Sequence, residues 1–196
     1  MSGLASLSSS NTVGYITYAK ELAYAMELVA QQPNTIFMGQ GVADHGGTTM
    51  SPTFKGVPAS QRLEMPVAED MQMGMAIGMA LEGMLPVCVF PRWNFLICAA
   101  NQLVNHLDRL PLYSEGGYNP RVIIRTAVPS VNPFNPGPQH DDDFSRAFEM
   151  MLRTVDIVRL DTPEMIVPMY RKALAAPHSV ILVEKSDLYK NARANA

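Results

Sequence analysis

The sequence predicts an α/β protein three layers deep, with helices covering both faces of a mostly parallel sheet. Short apolar runs of strand length recur along the chain, segments of helical spacing alternate with them, and the turns between are rich in Gly and Pro. With 196 residues, 47% of them hydrophobic, the chain can enclose one sizeable core, and neither a repeat nor a linker divides it. One domain over residues 13–190 is expected, with a flexible N-terminus at 1–12 and a short tail at 191–196.

In residues 15–32 the apolar positions Ile16, Ala19, Leu22, Ala23, Met26 and Val29 follow helical spacing until Pro33 stops the pattern. Residues 35–42 (TIFMGQGV) read as a buried strand running into a Gly-containing loop. An irregular connection follows at 43–60, and connections of that length commonly carry function. A short strand is expected at 62–65, a helix at 69–83, a strand at 86–90 and an amphipathic helix at 93–107. The run RVIIRT at 121–126 is a buried strand, a Pro- and Gly-rich loop leads to His140, and residues 143–152 are helical before a strand at 155–160. Thr162, Pro163 and Glu164 then place a capping hydroxyl, a first-turn proline and a first-turn acid in the order a helix start prefers. Pro177 ends that helix ahead of a strand at 180–183. Ligands of such sheets sit outside the carboxyl ends of the strands, which singles out residues 39–47, 66–70, 90–95 and 126–143.

A net charge of -3 and scattered Lys and Arg give no basic stripe, so nucleic acid is not an expected partner. The first eleven residues lack the positive flank and apolar run of a signal peptide, and no apolar stretch is long enough to span a bilayer; no membrane partner is expected. Cys88 and Cys98 lie in apolar surroundings without metal-ligand spacing, and both are expected to be small buried hydrophobes in a reducing, cytoplasmic setting. The chain carries 14 methionines, and Met71, Met73, Met75, Met79 and Met84 crowd one helix with Gly74 and Gly78. That pattern suits a subunit interface or a soft internal core.

Several stretches, taken in order, carry a resemblance: FMGQGV (37–42), PVAED (66–70), AIGMALEGMLPVCVF (76–90), NFLICAANQLVNH (94–106), RVIIRT and GPQH (137–140). Together they resemble the pyrimidine-binding domain of transketolase-like thiamin-diphosphate enzymes, most of all the β-subunits of 2-oxo acid dehydrogenases, without that family's C-terminal domain. The resemblance implies the thiamin-diphosphate-binding fold and a cofactor shared between two chains. The Gly-Asp-Gly and later Asn-Asn that hold the metal and diphosphate in the family do not occur here. Mg2+ would therefore belong to a partner chain bearing Gly-Asp-Gly, in a hetero-oligomer such as a heterotetramer. The chain departs from the family where Gln40 and Gly41 replace an acidic pair and where Asp141, Asp142 and Asp143 follow His140.

By the same resemblance, Glu69 would hydrogen-bond a ring nitrogen of the aminopyrimidine and favour the tautomer whose exocyclic nitrogen removes the thiazolium proton. Spacing alone would make Glu69 a solvated first-turn acid. Gln40, Phe90, Trp93 and Phe95 are candidate pyrimidine contacts, with ordinary core packing the alternative for each ring. His140, at the end of a proline-stiffened loop, is the second candidate catalytic residue, acting on substrate or acceptor; pairing with the adjacent aspartates is its alternative. Arg92 faces a substrate anion or solvent, Asp141 to Asp143 are helix-capping residues, and no metal site is expected. His45 lies in the loop after the first strand; His106 and His178 read as structural. The implied activity is carbanion chemistry on a 2-oxo acid or ketose. A non-catalytic subunit that keeps the fold for assembly or regulation is the alternative.

Overall fold

The computed structural model describes residues 17–43, 47–128 and 137–193. The expected flexible start, His45, and the prolines at 129, 133 and 136 lie outside these residues. Six parallel strands form one sheet in the order β2-β1-β3-β4-β6-β5: β1 (Thr35–Gly39), β2 (Arg62–Glu64), β3 (Leu85–Val89), β4 (Ile123–Val128), β5 (Asp156–Arg159) and β6 (Val180–Lys185).

Successive side chains of a strand point to opposite faces, and here both faces are apolar. Phe37, Val87, Val89, Ile123 and Leu182 face one cluster with Leu22, Met26 and Val29 of α1 (Tyr18–Ala30) and Ile166, Tyr170 and Ala173 of α6 (Pro163–Ala175). Met38, Cys88, Ile124, Ile181 and Val183 face the other, with Met73, Ala76 and Ile77 of α2 (Glu69–Leu81) and Phe148 of α5 (Ser145–Met151). This is the expected three-layer arrangement, with every strand parallel.

Three segments depart from the sequence reading. The helix expected at 93–107 is instead a short α3 (Trp93–Leu96), one 3₁₀ turn (Ile97–Ala99) and a π-helical stretch (Gln102–Leu107). Its widened turn, closed by Asp108 N–H donating to Leu103 C=O at 3.0 Å, sets the Asp108 carboxylate in the core. There Asp108 Oδ1 accepts from the backbone N–H groups of Arg153 (2.8 Å) and Thr154 (2.7 Å). A distant loop thus decides the helix geometry. A further short helix, α4 (Leu110–Tyr113), follows. β4 begins two residues later than RVIIRT suggests, because its ladder with β6 starts at Ile123 opposite Val180 while Arg121 reaches back to Leu174 C=O at 2.7 Å. The third departure is Cys98, which is exposed; only Cys88 is buried, since the broken helix turns residues 97 and 98 outward.

Thr162 occupies the N-cap of α6 without a side-chain cap bond, so Pro163, pre-set in φ, supplies the start. Ala176 before Pro177 is extended, as a residue preceding proline prefers, and the helix ends there.

Below β4 the apolar layer encloses an ion pair. Arg125 and Glu184 are fully buried, with Nε to Oε1 at 2.7 Å and Nη2 to Oε2 at 3.1 Å. Arg125 also donates to Thr53 Oγ1 at 3.2 Å and lies 5.0 Å from the Phe54 ring centroid, fixing the turn Ser51–Phe54 in the β1–β2 connection. The hydroxyls of Tyr170 (3.1 Å) and Tyr189 donate to Glu184. Burial opposes the charge on Arg125, but the Glu184 carboxylate outweighs it and holds the guanidinium protonated.

No helix among the described residues is long and apolar enough to cross a membrane.

Candidate functional site

The chain leaves β1 for β2 on one side and β3 for β4 on the other, so a crevice opens between the carboxyl ends of β1 and β3. The two strands approach closely there: a Cβ on Gly39, whose φ is +153°, would lie 2.4 Å from the Val89 carbonyl oxygen. Only glycine fits. Just beyond, Glu64 at the end of β2 accepts hydrogen bonds from Gly41 N–H (2.6 Å) and Ala43 N–H (2.8 Å) through its two oxygens. That clasp ties the loop after β1 to the end of β2, with half-buried Gln40 at its start. Sequence reasoning passed over Glu64; an acid closing a very short strand was its only signal.

Met65 N–H donates to Gly39 C=O at 3.0 Å, bringing residues 65–68 back to the crevice and starting α2 at Glu69. The N-cap, Ala68, has no side-chain acceptor, which leaves Glu69 and Asp70 as the groups facing the positive end of the helix dipole. Asp70 accepts from Gln102 Nε2 at 3.3 Å. The half-buried Glu69 carboxyl has no hydrogen-bond partner among the described residues, which leaves its oxygens available to accept from a ligand.

Phe90 and Trp93, expected at a pocket wall, are instead enclosed: 1% and 0% exposed, with Trp93 packed on Phe148 at a centroid distance of 5.2 Å. They take the core-packing alternative, because the chain after β3 turns inward under α5. Phe95 points differently. It is half-buried, meets the His140 ring edge-on at 5.6 Å and has the Arg92 guanidinium 6.0 Å from its centroid. The structure thus brings Phe95, Arg92 and His140 together. Asn94 Nδ2 reinforces the junction by donating to Asp142 Oδ2 at 3.0 Å, and Asn94 Oδ1 and His140 Nδ1 are buried without partners. Buried polar atoms of this kind are ready for a ligand or water.

His140 does not pair with the aspartates beside it. Asp143, one residue before the Phe144 N-cap of α5, accepts from Ser145 N–H at 3.0 Å and pairs with Arg159. Burial would raise the Asp143 pKa, but the hydrogen bonds from Arg159 and Ser145 prevail and lower it. His178 lies 2.8 Å from Asp156. Among the described residues no cluster of three or more His, Cys, Asp and Glu is placed to hold a metal ion.

A parallel sheet with its crevice between β1 and β3, an unengaged acid heading the helix after β2, and Phe95 of α3 paired with His140 define an open-sheet α/β domain with ligand-binding potential at the carboxyl ends of its strands. More particularly, the chain belongs to the transketolase pyrimidine-binding domain family, whose model matches residues 15–191. It is 28% identical over 168 residues to a pyruvate dehydrogenase E1 component subunit beta of Chaetosphaeridium globosum, covering 83% of this chain and 50% of that protein. With the chloroplastic subunit beta-4 of Oryza sativa subsp. japonica it shares 26% identity over 171 residues, 84% of this chain and 41% of the relative. The chain thus spans half or less of these relatives' length. A solved structure described as a split-gene transketolase, an inactive β4 tetramer, superposes with a TM-score of 0.65 over 88% of this chain and 52% of that one, at 17% identity. That likeness shows the shared fold.

Proposed function

We propose that this chain is the pyrimidine-binding subunit of a two-chain thiamin-diphosphate-dependent enzyme acting on a 2-oxo acid or ketose. The observation that carries the reading is Glu69: a half-buried carboxyl without a partner, at the head of α2, beside the crevice where the sheet topology reverses. When bound, the cofactor supplies carbanion chemistry. Glu69 would hold the pyrimidine by one ring nitrogen and manage its proton, a task that suits an acid shielded from water. Phe95 would border the ring, with Gln40 at the loop after β1. His140, steadied by Phe95, would orient substrate or acceptor, and Arg92 would face its carboxylate.

The described residues hold no metal cluster. Mg2+ and the diphosphate would sit on a partner chain bearing Gly-Asp-Gly. The exposed apolar residues Met71 and Met75, one turn apart on the side of α2 away from Met73, Ala76 and Ile77, with exposed Val67 just before the helix, support a subunit contact there.

Calorimetric titration tests the reading. The chain alone is expected to bind thiamin diphosphate weakly or not at all, because a pyrimidine half-site offers few contacts. The chain mixed with its Gly-Asp-Gly partner is expected to bind tightly and with Mg2+ dependence. Tight, Mg2+-dependent binding by the lone chain overturns the two-chain arrangement. A mixture that assembles but never binds the cofactor favours the non-catalytic assembly role.

A further inference from the structure

We infer that Gln72 is a positioning residue for Glu69, locking the first turn of α2 onto the crevice; the inference rests on the reading of Glu69 given above. Gln72 is 1% exposed and lies one turn beyond Glu69 in the same helix. Its Nε2 donates to Val89 C=O at 3.1 Å and lies 3.4 Å from Met38 C=O and 3.3 Å from Cys88 Sγ. These acceptors belong to the last residues of β1 and β3, the two paired strands whose outgoing connections diverge to make the crevice. One amide therefore bridges both strand ends to the helix that carries the acid.

Beside the apolar packing of Met73, Ala76 and Ile77, little polar contact fixes that turn from the helix side. Ala68 cannot cap it, Gly74 and Gly78 bring no side chains to the packing, and a Cβ on Gly78 would meet nothing within 4 Å. The other polar tie of that turn among the described residues is Asp70 to Gln102, which holds α2 to the π-helical stretch and not to the sheet. Val89 C=O has a further constraint, because its oxygen already lies against Gly39 so closely that no side chain fits between. Gln72 supplies a donor at a place where the strand ends are too near for any larger residue to intervene. Loss of that donor frees α2 to shift along its axis, and a displacement of about 1 Å at a reacting group commonly costs on the order of a hundredfold in rate.

The test uses Gln72→Met, which keeps length and burial but cannot donate, and Gln72→Glu, which can donate only when its carboxyl is protonated. Two readouts apply: amide hydrogen exchange of residues 70–73 in the full chain, and exchange of the thiazolium proton per bound thiamin diphosphate in the complex with the Gly-Asp-Gly partner. For Gln72→Met, faster amide exchange in that turn and roughly tenfold to hundredfold slower thiazolium-proton exchange are expected, with cofactor affinity changed only severalfold. Gln72→Glu is expected to recover toward the wild-type rate as pH falls. A purely structural glutamine would lower the melting temperature and leave the exchange per bound cofactor, and its pH profile, as in wild type; that result overturns the inference. If Gln72→Met fails to assemble, the pH profile of Gln72→Glu and the amide exchange of the chain decide in the same way. Glu69→Gln is measured in parallel: normal exchange there overturns the functional reading and this one together, whereas slow exchange there with normal exchange in the Gln72 variants removes only the positioning role.

Discussion

Arg125→Met removes the cation from a fully buried pair and leaves the Glu184 carboxylate with only the Tyr170 and Tyr189 hydroxyls. Breaking a buried pair by removing one partner costs about 3–5 kcal/mol, because the remaining charge keeps its desolvation penalty without its counter-charge. The bidentate geometry, 2.7 and 3.1 Å, and the contacts to Thr53 and Phe54 place this site toward the upper part of that range. In a domain of this size each kcal/mol lowers the melting temperature by about 2–4 °C, so a fall of roughly 6–20 °C is expected. Circular dichroism during thermal and urea unfolding of the isolated chain measures it. Arg125→Met/Glu184→Gln removes the orphaned charge while keeping an acceptor for one tyrosine, and it is expected to regain at least half of the loss. The reasoning is refuted if Arg125→Met shifts the midpoint by less than about 2 °C, or if the double variant is no more stable than the single one.

His140→Ala in the assembled complex is expected to leave thiamin diphosphate affinity nearly unchanged while lowering turnover by on the order of a hundredfold; equal losses of both would show a folding role for the loop. In the isolated chain at pH 8, one thiol is expected to react with a disulfide reagent, Cys98, because burial pushes the Cys88 thiol up to about 12 despite its hydrogen bond from Gln72. Mass spectrometry locates the label, and modification of native Cys88 contradicts the packing described. The lowered pKa of Asp143 ties its pairing with Arg159 to pH: the stabilisation is complete above the unfolded-state value of about 3.9 and is lost as pH falls through the lower folded value. Asp143→Asn is therefore expected to flatten stability against pH only on that acid side, as urea midpoints between about pH 2 and 6 will show.

Alternating apolar periodicities made the order of strands and helices legible, because β1, β3, β4 and β6 are buried on both faces and α1 and α6 each show one apolar stripe. Local pattern could not foresee the π-helical turn at 102–107, which depends on Asp108 reaching amides 45 to 47 residues away. Arg125 was visible as a charge in an apolar strand, but its partner stands 59 residues later, on a strand read as apolar. At the site, a short motif singled out Glu69 and His140. The depth of Phe90 and Trp93 depends instead on how α5 covers the sheet, and the bonds of Gln72 and Glu64 depend on which strand ends converge. Side-chain identity along the chain carries neither.

The central claim is that Glu69 activates thiamin diphosphate, and exchange of the thiazolium proton with deuterium tests it most directly. Wild-type and Glu69→Gln chains, each assembled with the Gly-Asp-Gly partner and saturated with cofactor and Mg2+, would be quenched at intervals and read by proton NMR. Gln matches Glu in size and can still hydrogen-bond the ring, but it cannot exchange a proton with it. The account predicts preserved assembly, cofactor affinity within several-fold, and exchange slowed by on the order of a hundredfold to ten-thousandfold. Exchange as fast as in wild type would contradict it and reduce Glu69 to a first-turn acid answering the helix dipole.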